Sequence, residues 1–265
     1  MRIKIIQNII DILRHKKKLN INFNPYIKGI NNKIVFKTSK NDVVKNILDK
    51  NLTISGNNNT IIFISDNVKF PKGLKLNIVG DYNYVEIHKP NFKETLIGIF
   101  NNDNRFILEE TCQICNGATF SLASGGSINI EKNCEIGNYS LWVVVNGDYK
   151  TKHKLHIGEG THIAKDAIIR TSDGECLLDF DTNMPISEPQ DIYIGKHCWI
   201  TSRCTILKGS YIPDNSIIGA NSLVNKKFTE EYTLIAGTPA KVIKKNVKWI
   251  KGGYGYNMSK YENQI

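Results

Sequence analysis

Cysteine is the residue type whose spacing in this chain most readily suggests chemistry, and six are present. Cys112 and Cys115 form one Cys-x-x-Cys pair, whereas a zinc site normally has a second pair or histidines at ligand spacing. Cys134, Cys198 and Cys204 share one position of a repeat described below, where core packing explains them better than reactivity. We therefore expect no metal site, free thiols and no disulfide framework.

Positive charge is the second chemical feature of the sequence. The chain has 35 Lys and Arg against 25 Asp and Glu, a formal net charge of +10, which indicates an anionic partner or substrate. Part of the excess lies in residues 14–18, and part lies near the C-terminus in Lys241, Lys244, Lys245, Lys248 and Lys251. Neither cluster accompanies a zinc finger, an aromatic RNP-like strand or a recognition helix, so nucleic acid is not an expected partner.

Composition indicates a folded protein. The 265 residues are 41% hydrophobic and 9% aromatic, which is too apolar for a disordered chain. No apolar run approaches the roughly 18 residues that cross a bilayer, and the first residues lack the pattern of a signal peptide. A globular, cytoplasmic protein is therefore expected.

A six-residue repeat organises the C-terminal half of the chain. Branched aliphatic residues recur every six positions at Ile194, Ile200, Ile206, Ile212, Ile218 and Val224. Four positions after each, mostly small residues recur at Cys198, Cys204, Ser210, Ser216, Ser222 and Phe228. The same register occurs upstream at Ile130, Ile136, Ile157, Ile163 and Ile169. A period of six fits neither a helix nor simple alternation, so each hexapeptide is predicted to be a short strand plus a turn of a solenoid.

The N-terminal half carries a looser repeat. Gly29, Gly56 and Gly80 each begin a Gly-x-x-Asn motif followed by a strand-like run, and a fourth copy follows at residues 102–107. Glycine and asparagine tolerate the positive φ that corners need. The sequence therefore predicts an all-β solenoid of stacked coils, degenerate over residues 20–125 and regular over residues 126–240.

Both ends of this solenoid have a predicted cap. An apolar stripe in residues 2–17 indicates an amphipathic helix within an N-terminal segment of residues 1–19. This helix either covers the first coil or contacts an acidic membrane surface. The polar residues 241–265 are expected to form a C-terminal tail that packs back over the last coil.

The hexapeptides, together with the stretch Ile-Ala-Gly-Thr-Pro-Ala-Lys at residues 235–241, resemble the left-handed β-helix acyltransferases, which are usually trimers that use acetyl-CoA. The resemblance is specific over residues 157–250 and architectural over residues 1–125. Left-handedness is implied by the resemblance alone, because parallel crossovers are right-handed in most proteins. Residues 170–174, the insertion up to Gln190 and the strand with Trp199 are similar to O-acetyltransferases of capsular and other surface polysaccharides, polysialic acid among them.

The resemblance also implies a catalytic site. In those enzymes a Ser/Thr-Asp-x-His segment supplies the base that activates the acceptor hydroxyl, and a tryptophan 24 residues later lines the acetyl site. Trp199 matches the tryptophan, but Glu175 occupies the histidine position. Glutamate, with an ordinary pKa of about 4.3, is a weaker base than imidazole unless burial, for example beside Trp199, raises that pKa.

Three alternatives for this site stay open. Glu175 is the base, or a histidine is, or the site has decayed and only binds. The candidate histidines are His153, His156 and His162. His162 is the best placed of them, because it occupies the same outward repeat position as Trp199. Asp173 either orients the base or holds its own turn.

Coenzyme A is implied to lie along a groove between subunits. The resemblance places its pantetheine near the backbone of Thr201, Ser202, Gly219 and Ala220. Its phosphates would meet lysines, namely Lys226, Lys227, Lys241 and Lys244. Thr201 replaces a residue that is commonly glycine in the family, which would narrow the thioester tunnel or change the acyl group accepted.

The leading functional hypothesis is a trimeric O-acetyltransferase that acts on a cell-surface polysaccharide or its sugar precursor. The acceptor hydroxyl would attack the thioester of acetyl-CoA directly, since no nucleophile motif is present. Two alternatives remain: an N-acyltransferase of an amino-sugar nucleotide, and a catalytically decayed solenoid that serves as a binding or scaffold subunit.

Overall fold

The computed structural model describes residues 26–45, 47–66, 68–89, 91–145 and 151–252. The amphipathic helix predicted within residues 1–19 lies outside the described residues. All regular structure in the described part is β. Its strands are β1 Ile27–Lys28, β2 Lys33–Lys37, β3 Asp42–Val44, β4 Leu52–Ser55, β5 Thr60–Ile64, β6 Leu74–Val79, β7 Tyr84–His88, β8 Thr95–Phe100, β9 Arg105–Leu108, β10 Gln113–Ile114, β11 Thr119–Ala123, β12 Ser127–Ile130, β13 Glu135–Ile136, β14 Leu141–Val145, β15 Lys154–Ile157, β16 His162–Ile163, β17 Ile168–Arg170, β18 Ile192–Ile194, β19 Trp199–Ile200, β20 Thr205–Leu207, β21 Tyr211–Ile212, β22 Ile217–Ile218, β23 Leu223–Val224, β24 Thr233–Gly237 and β25 Ala240–Lys245.

These strands form the three faces of one parallel β-solenoid. Sheet A has the order β1-β4-β6-β8-β11-β14-β17-β20-β23, and sheet B has the order β3-β2-β5-β7-β9-β12-β15-β18-β21. Sheet C has the order β10-β13-β16-β19-β22-β24-β25. Strands pair in parallel with the strand one coil later, except for the antiparallel pairs β2–β3 and β24–β25. The predicted continuous all-β solenoid is confirmed.

The two halves of the solenoid differ in cross-section. The coils that begin at β4 and β6 have strands only in sheets A and B, and a loop closes each of them. From β10 onward the coils add a strand in sheet C, so their cross-section is triangular. The loose repeat and the hexapeptide repeat therefore belong to one continuous stack of coils and differ in the number of strands per coil.

The inward positions of the hexapeptides form the core. The six aliphatics from Ile194 to Val224 are each 0% exposed, and the small residues four positions later are also buried. A small residue is needed there because the backbone turns toward the next sheet. At Gly195 a Cβ atom would lie 2.6 Å from the backbone nitrogen of Asp214, which shows how closely successive coils approach at the corners.

The Gly-x-x-Asn motifs build an asparagine ladder inside the corner between sheets A and B. Asn59, Asn83 and Asn104 are almost fully buried. Each donates its side-chain Nδ2 to the Oδ1 of the asparagine one coil below, starting from Asn32, at 2.9–3.0 Å. The backbone N–H of Gly126 donates to Oδ1 of Asn104 and ends the ladder. The ladder satisfies buried polar groups that the corner would otherwise leave unpaired.

The six cysteines are free. Cys112, Cys134, Cys198 and Cys204 are buried in the core, and Cys115 is half-buried. No group of three or more His, Cys, Asp or Glu side chains in the described part of the chain could hold a metal ion. Within the same residues, no helix has the length and apolar character to cross a membrane.

Candidate active site

The outer surface of sheet C carries a column of side chains in strand register. Glu135 on β13 is the Cα partner of His162 on β16, and His162 is the partner of Trp199 on β19. Nε2 of His162 lies 4.0 Å from Oε1 of Glu135. Burial lowers the pKa of His162 below its ordinary value, against the opposing effect of Glu135, and therefore favours the neutral imidazole.

Trp249 from the C-terminal segment covers this column. Its indole Nε1 donates to the backbone carbonyl of His197 at 2.7 Å, and its ring stacks on the imidazole of His197 at 4.7 Å. The same ring lies 5.9 Å from Trp199 and 6.3 Å, edge to face, from His162. Lys251, two residues later, pairs with Glu135 at 2.7 Å. Trp249 and Lys251 therefore contact β13, β16 and β19 of earlier coils and not the last coil, over which the tail was expected to pack; residues 253–265 lie outside the described residues.

The corner between sheets C and A holds the residues predicted to contact pantetheine. Thr201 and Ser202 follow β19, and Gly219 and Ala220 follow β22, so they occupy equivalent positions in adjacent coils. The backbone N–H of Thr201 donates to the carbonyl of Ile218, and its Oγ1 donates to the same oxygen at 2.6 Å. The threonine hydroxyl is therefore turned toward the coil, and Gly219 is half-buried beside Ala236.

The corner between sheets A and B carries the insertion of residues 171–191. Asp173 fastens this insertion, because its Oδ2 accepts a bond from Nζ of Lys208 at 2.6 Å and another from the hydroxyl of Ser187. These two bonds hold the pKa of Asp173 below its ordinary value. The backbone carbonyl of Asp173 accepts a bond from the guanidinium of Arg170. The Asp173 side chain thus bonds Lys208 and Ser187, and its two predicted roles, orienting a base and holding its own turn, stay predictions.

Two adjoining cavities lie at this A–B corner. One, of about 460 Å³, is lined by Asp173 and by the predicted phosphate ligands Lys226 and Lys227. The other, of about 420 Å³, is lined by His153 and Asp191. Gln190, Gly209 and Lys227 line both cavities.

His153 and Asp191 form a histidine–carboxylate pair in the second cavity. Nδ1 of His153 lies 3.3 Å from Oδ1 of Asp191, and the His153 side chain is 14% exposed. The backbone N–H of Lys154 donates to the same carboxylate oxygen at 2.9 Å and fixes its position.

The predicted site residues fall on two separate parts of the surface. His162, Trp199 and the pantetheine residues lie on sheet C and its corner with sheet A. Glu175 is exposed on the insertion at the A–B corner, which is opposite sheet C in the triangular cross-section. Within one chain Glu175 is exposed, so its burial beside Trp199 stays a prediction about the assembled protein. Lys241 and Lys244 lie on β25, at the end of sheet C.

The third histidine candidate lies on the face of sheet B. The ring of His156 stacks on Tyr193 at 4.9 Å, and Tyr193 stacks on Tyr211 at 4.8 Å. Nε2 of His156 is 3.6 Å from Oε1 of Glu131. Burial lowers the pKa of His156, as it does for His162.

Asp191 and Trp249 are not among the site residues predicted from the sequence. Asp191 precedes β18 directly, and its partner His153 precedes β15, the neighbouring strand of sheet B. Because both residues directly precede strands that pair with each other, the repeat pattern already indicates that Asp191 and His153 lie close together. Trp249 lies beyond the repeat, and nothing in the sequence indicates which coil it contacts.

Comparison with known proteins gives the following relatives. The chain is 28% identical over 236 residues to the polysialic acid O-acetyltransferase of Neisseria meningitidis, which covers 89% of this chain and 93% of that protein. It is 31% identical over 100 residues to a polysialic acid O-acetyltransferase of Escherichia coli O1:K1, where the match spans only 32% of that protein. The crystal structure of the polysialic-acid-specific acetyltransferase NeuO aligns with a TM-score of 0.65 at 20% identity, covering 89% of this chain and 93% of that chain. No family model matches the chain.

Proposed function

We propose that this chain, which belongs to the hexapeptide-repeat acyltransferases, is an O-acetyltransferase that moves the acetyl group of acetyl-CoA to a hydroxyl of a cell-surface polysaccharide or its sugar precursor. The observation that carries the proposal is the position of Trp199. This exposed indole lies at the start of the corner that carries Thr201, Ser202, Gly219 and Ala220. The small side chains of this corner suit an extended pantetheine that lies beside an aromatic wall. The left-handed sense of the coil is part of the same proposal.

A homotrimer completes the site in this proposal. The A–B corner carries Asp173, Lys226 and Lys227, and sheet C carries Trp199 on the opposite side of the chain. A cyclic assembly that sets the A–B corner of one copy against sheet C of the next brings both groups to one groove. The nucleotide phosphates of acetyl-CoA then meet lysines from one copy while the acetyl group reaches Trp199 of another.

The transfer proceeds by direct attack. The acceptor oxygen attacks the thioester carbonyl carbon while a base removes the hydroxyl proton. Backbone N–H groups at the corners supply donors for the oxyanion that develops on the carbonyl oxygen. The thiolate of CoA then leaves and takes up the proton.

The acceptor is proposed to be an acidic glycan. A formal net charge of +10 raises the local concentration of polyanions near the surface. Both named relatives are polysialic acid O-acetyltransferases, which makes oligomeric polysialic acid the first acceptor to test.

Calorimetric titration with acetyl-CoA and with free CoA tests the donor site. Binding of both ligands at one site per chain is the expected result. Transfer to oligomeric polysialic acid is then followed by mass spectrometry, where each added acetyl group is counted. Absence of binding by either ligand would overturn the enzyme proposal, whereas binding without transfer would overturn only the acceptor.

A further inference from the structure

We propose that His153, oriented by Asp191, is the general base of the acetyl transfer and acts in place of the histidine that the family has at the position of Glu175; this inference rests on the proposed function. The pair lies at the A–B corner, at the base of the insertion that carries Glu175. The chain therefore keeps an imidazole at this corner but supplies it from the preceding coil.

The contact between the two side chains settles which nitrogen can act. A carboxylate only accepts hydrogen bonds, so the Nδ1 of His153 that faces Asp191 at 3.3 Å carries the proton. In the proposed role, Nε2 is then the nitrogen that receives the proton of the acceptor hydroxyl. The Lys154 N–H donates to the same carboxylate oxygen at 2.9 Å. This is the relation of a base to its orienting group in nucleophilic and acyl-transfer sites.

His153 borders a cavity of a size that a ligand can occupy. His153 lines a cavity of about 420 Å³, within the size range of small-molecule sites, roughly 300–1,000 Å³. Tyr193, Tyr211 and Lys227 also line it, and their side chains carry hydroxyl and ammonium groups of the kind that bind a polyhydroxyl acceptor. The cavity shares Gln190, Gly209 and Lys227 with the cavity of Asp173, so both open on the same corner.

The other candidate bases have weaker geometry. His156 is 3.6 Å from its carboxylate and its ring stacks on Tyr193, on the flat face of sheet B. His162 is 4.0 Å from its carboxylate and lies under Trp249. Glu175 is exposed on the insertion and lines neither cavity at this corner.

The step balances without any further reactant. The acceptor O–H gives its proton to Nε2 of His153 as the oxygen forms a bond to the thioester carbonyl carbon of acetyl-CoA. The carbon–sulfur bond breaks, and the CoA sulfur receives the proton from the imidazolium. The products are the O-acetyl ester and CoA thiol, and His153 returns to its neutral form.

The test measures release of CoA thiol by the full-length protein from acetyl-CoA, with oligomeric polysialic acid and with water as acceptor. His153→Ala is expected to lose about 100-fold or more in turnover, because a positioned base contributes roughly 10²–10⁴-fold. Added imidazole, which fits the space vacated in the cavity, is expected to restore part of that loss. Asp191→Asn is expected to lose about tenfold or more without rescue by imidazole.

The matched control is His88→Ala, because His88 also contacts a carboxylate, Glu86 at 2.7 Å, but lies on β7 in the two-sheet half. Its turnover should stay within about twofold of the original protein. Titration with acetyl-CoA shows that each variant is folded and keeps its donor site. Unchanged turnover in His153→Ala, or a loss that imidazole cannot restore, would overturn the assignment. An original protein that releases no thiol at all would instead overturn the proposed function.

Discussion

His162 and Trp199 are Cα partners on neighbouring strands of sheet C, and the ring of Trp249 packs against both. The three aromatic groups form one surface on the face opposite the insertion. A thioester bound against Trp199 would therefore meet the A–B corner only when that corner belongs to another copy of the chain. The separation of the two surfaces is the structural reason to expect that activity depends on assembly.

Removal of the Trp199 indole should weaken acetyl-CoA binding. Trp199→Ala is expected to lower the affinity for acetyl-CoA about tenfold, because the acyl end loses an aromatic wall, and to lower the affinity for free CoA less. Calorimetric titration with both ligands measures the difference. Phe100→Ala removes another exposed ring, on sheet A, and should leave both affinities unchanged. Equal affinities in the original protein and in Trp199→Ala would show that the acyl group binds elsewhere.

The asparagine ladder should contribute strongly to stability. Asn83→Ala removes the acceptor of Asn104 and the donor to Asn59 in a buried corner, so the free energy of unfolding should fall by about 2–4 kcal/mol. Denaturant unfolding followed by circular dichroism measures this change. Asn116→Ala, at an exposed position in a later coil, should change the free energy by less than about 0.5 kcal/mol. Similar values for the two variants would mean that the ladder adds nothing.

Substitution of a glycine at the ladder corner should also lower the stability of the fold. Gly80 has a φ of +132°, and a Cβ atom there would lie 2.0 Å from the carbonyl oxygen of Asn101. Gly80→Ala is therefore expected to cost about 3 kcal/mol or more, since the coils would have to separate. Gly160→Ala is the matched control, because Gly160 has a φ of +70° with no atom within 4 Å of the added Cβ. Its cost should be only about 1 kcal/mol, and equal costs would argue against close stacking.

The fold was predictable because each coil repeats one local rule. The burial of Ile200, Ile206 and Ile212 follows from a spacing that any single coil displays. The Gly-x-x-Asn motif indicates a corner, but its ladder joins asparagines 21–27 residues apart, and a turn motif contains no information on such contacts. These contacts form only when successive coils stack on each other.

The candidate site was less predictable for the same reason. His162 and Trp199 share a repeat position, but they become partners only because the insertion of residues 171–191 leaves the coil and does not change its phase. The sequence does not show that the insertion with Glu175 lies between strands of sheets A and B whereas Trp199 lies on sheet C, and these positions determine how far apart the two residues are. The contact of Trp249 with His197 joins residues 52 positions apart, outside any repeat.

Acid should destabilise the folded chain through the sheet C column. Burial lowers the pKa of His162 from its ordinary value of 6.5, so the unfolded chain binds more protons than the folded chain below that pH. The pKa of Glu135 is also lowered, because the bond from Lys251 and the charges of Lys251 and His162 outweigh its burial. A depressed carboxylate pKa contributes stability that is lost only below about pH 4.5, the ordinary pKa of this group, so Glu135 adds to the loss at lower pH than His162 does.

The free energy of unfolding should therefore decrease between about pH 7.5 and about pH 5.5, the interval that contains the ordinary pKa of a histidine. His162→Gln removes one titrating group and should make this decrease smaller than in the original protein. Denaturant unfolding of the two proteins at both pH values measures the slopes. An identical slope in His162→Gln and the original protein would show that His162 takes up its proton equally in the folded and unfolded chains, which its burial beneath Trp249 argues against.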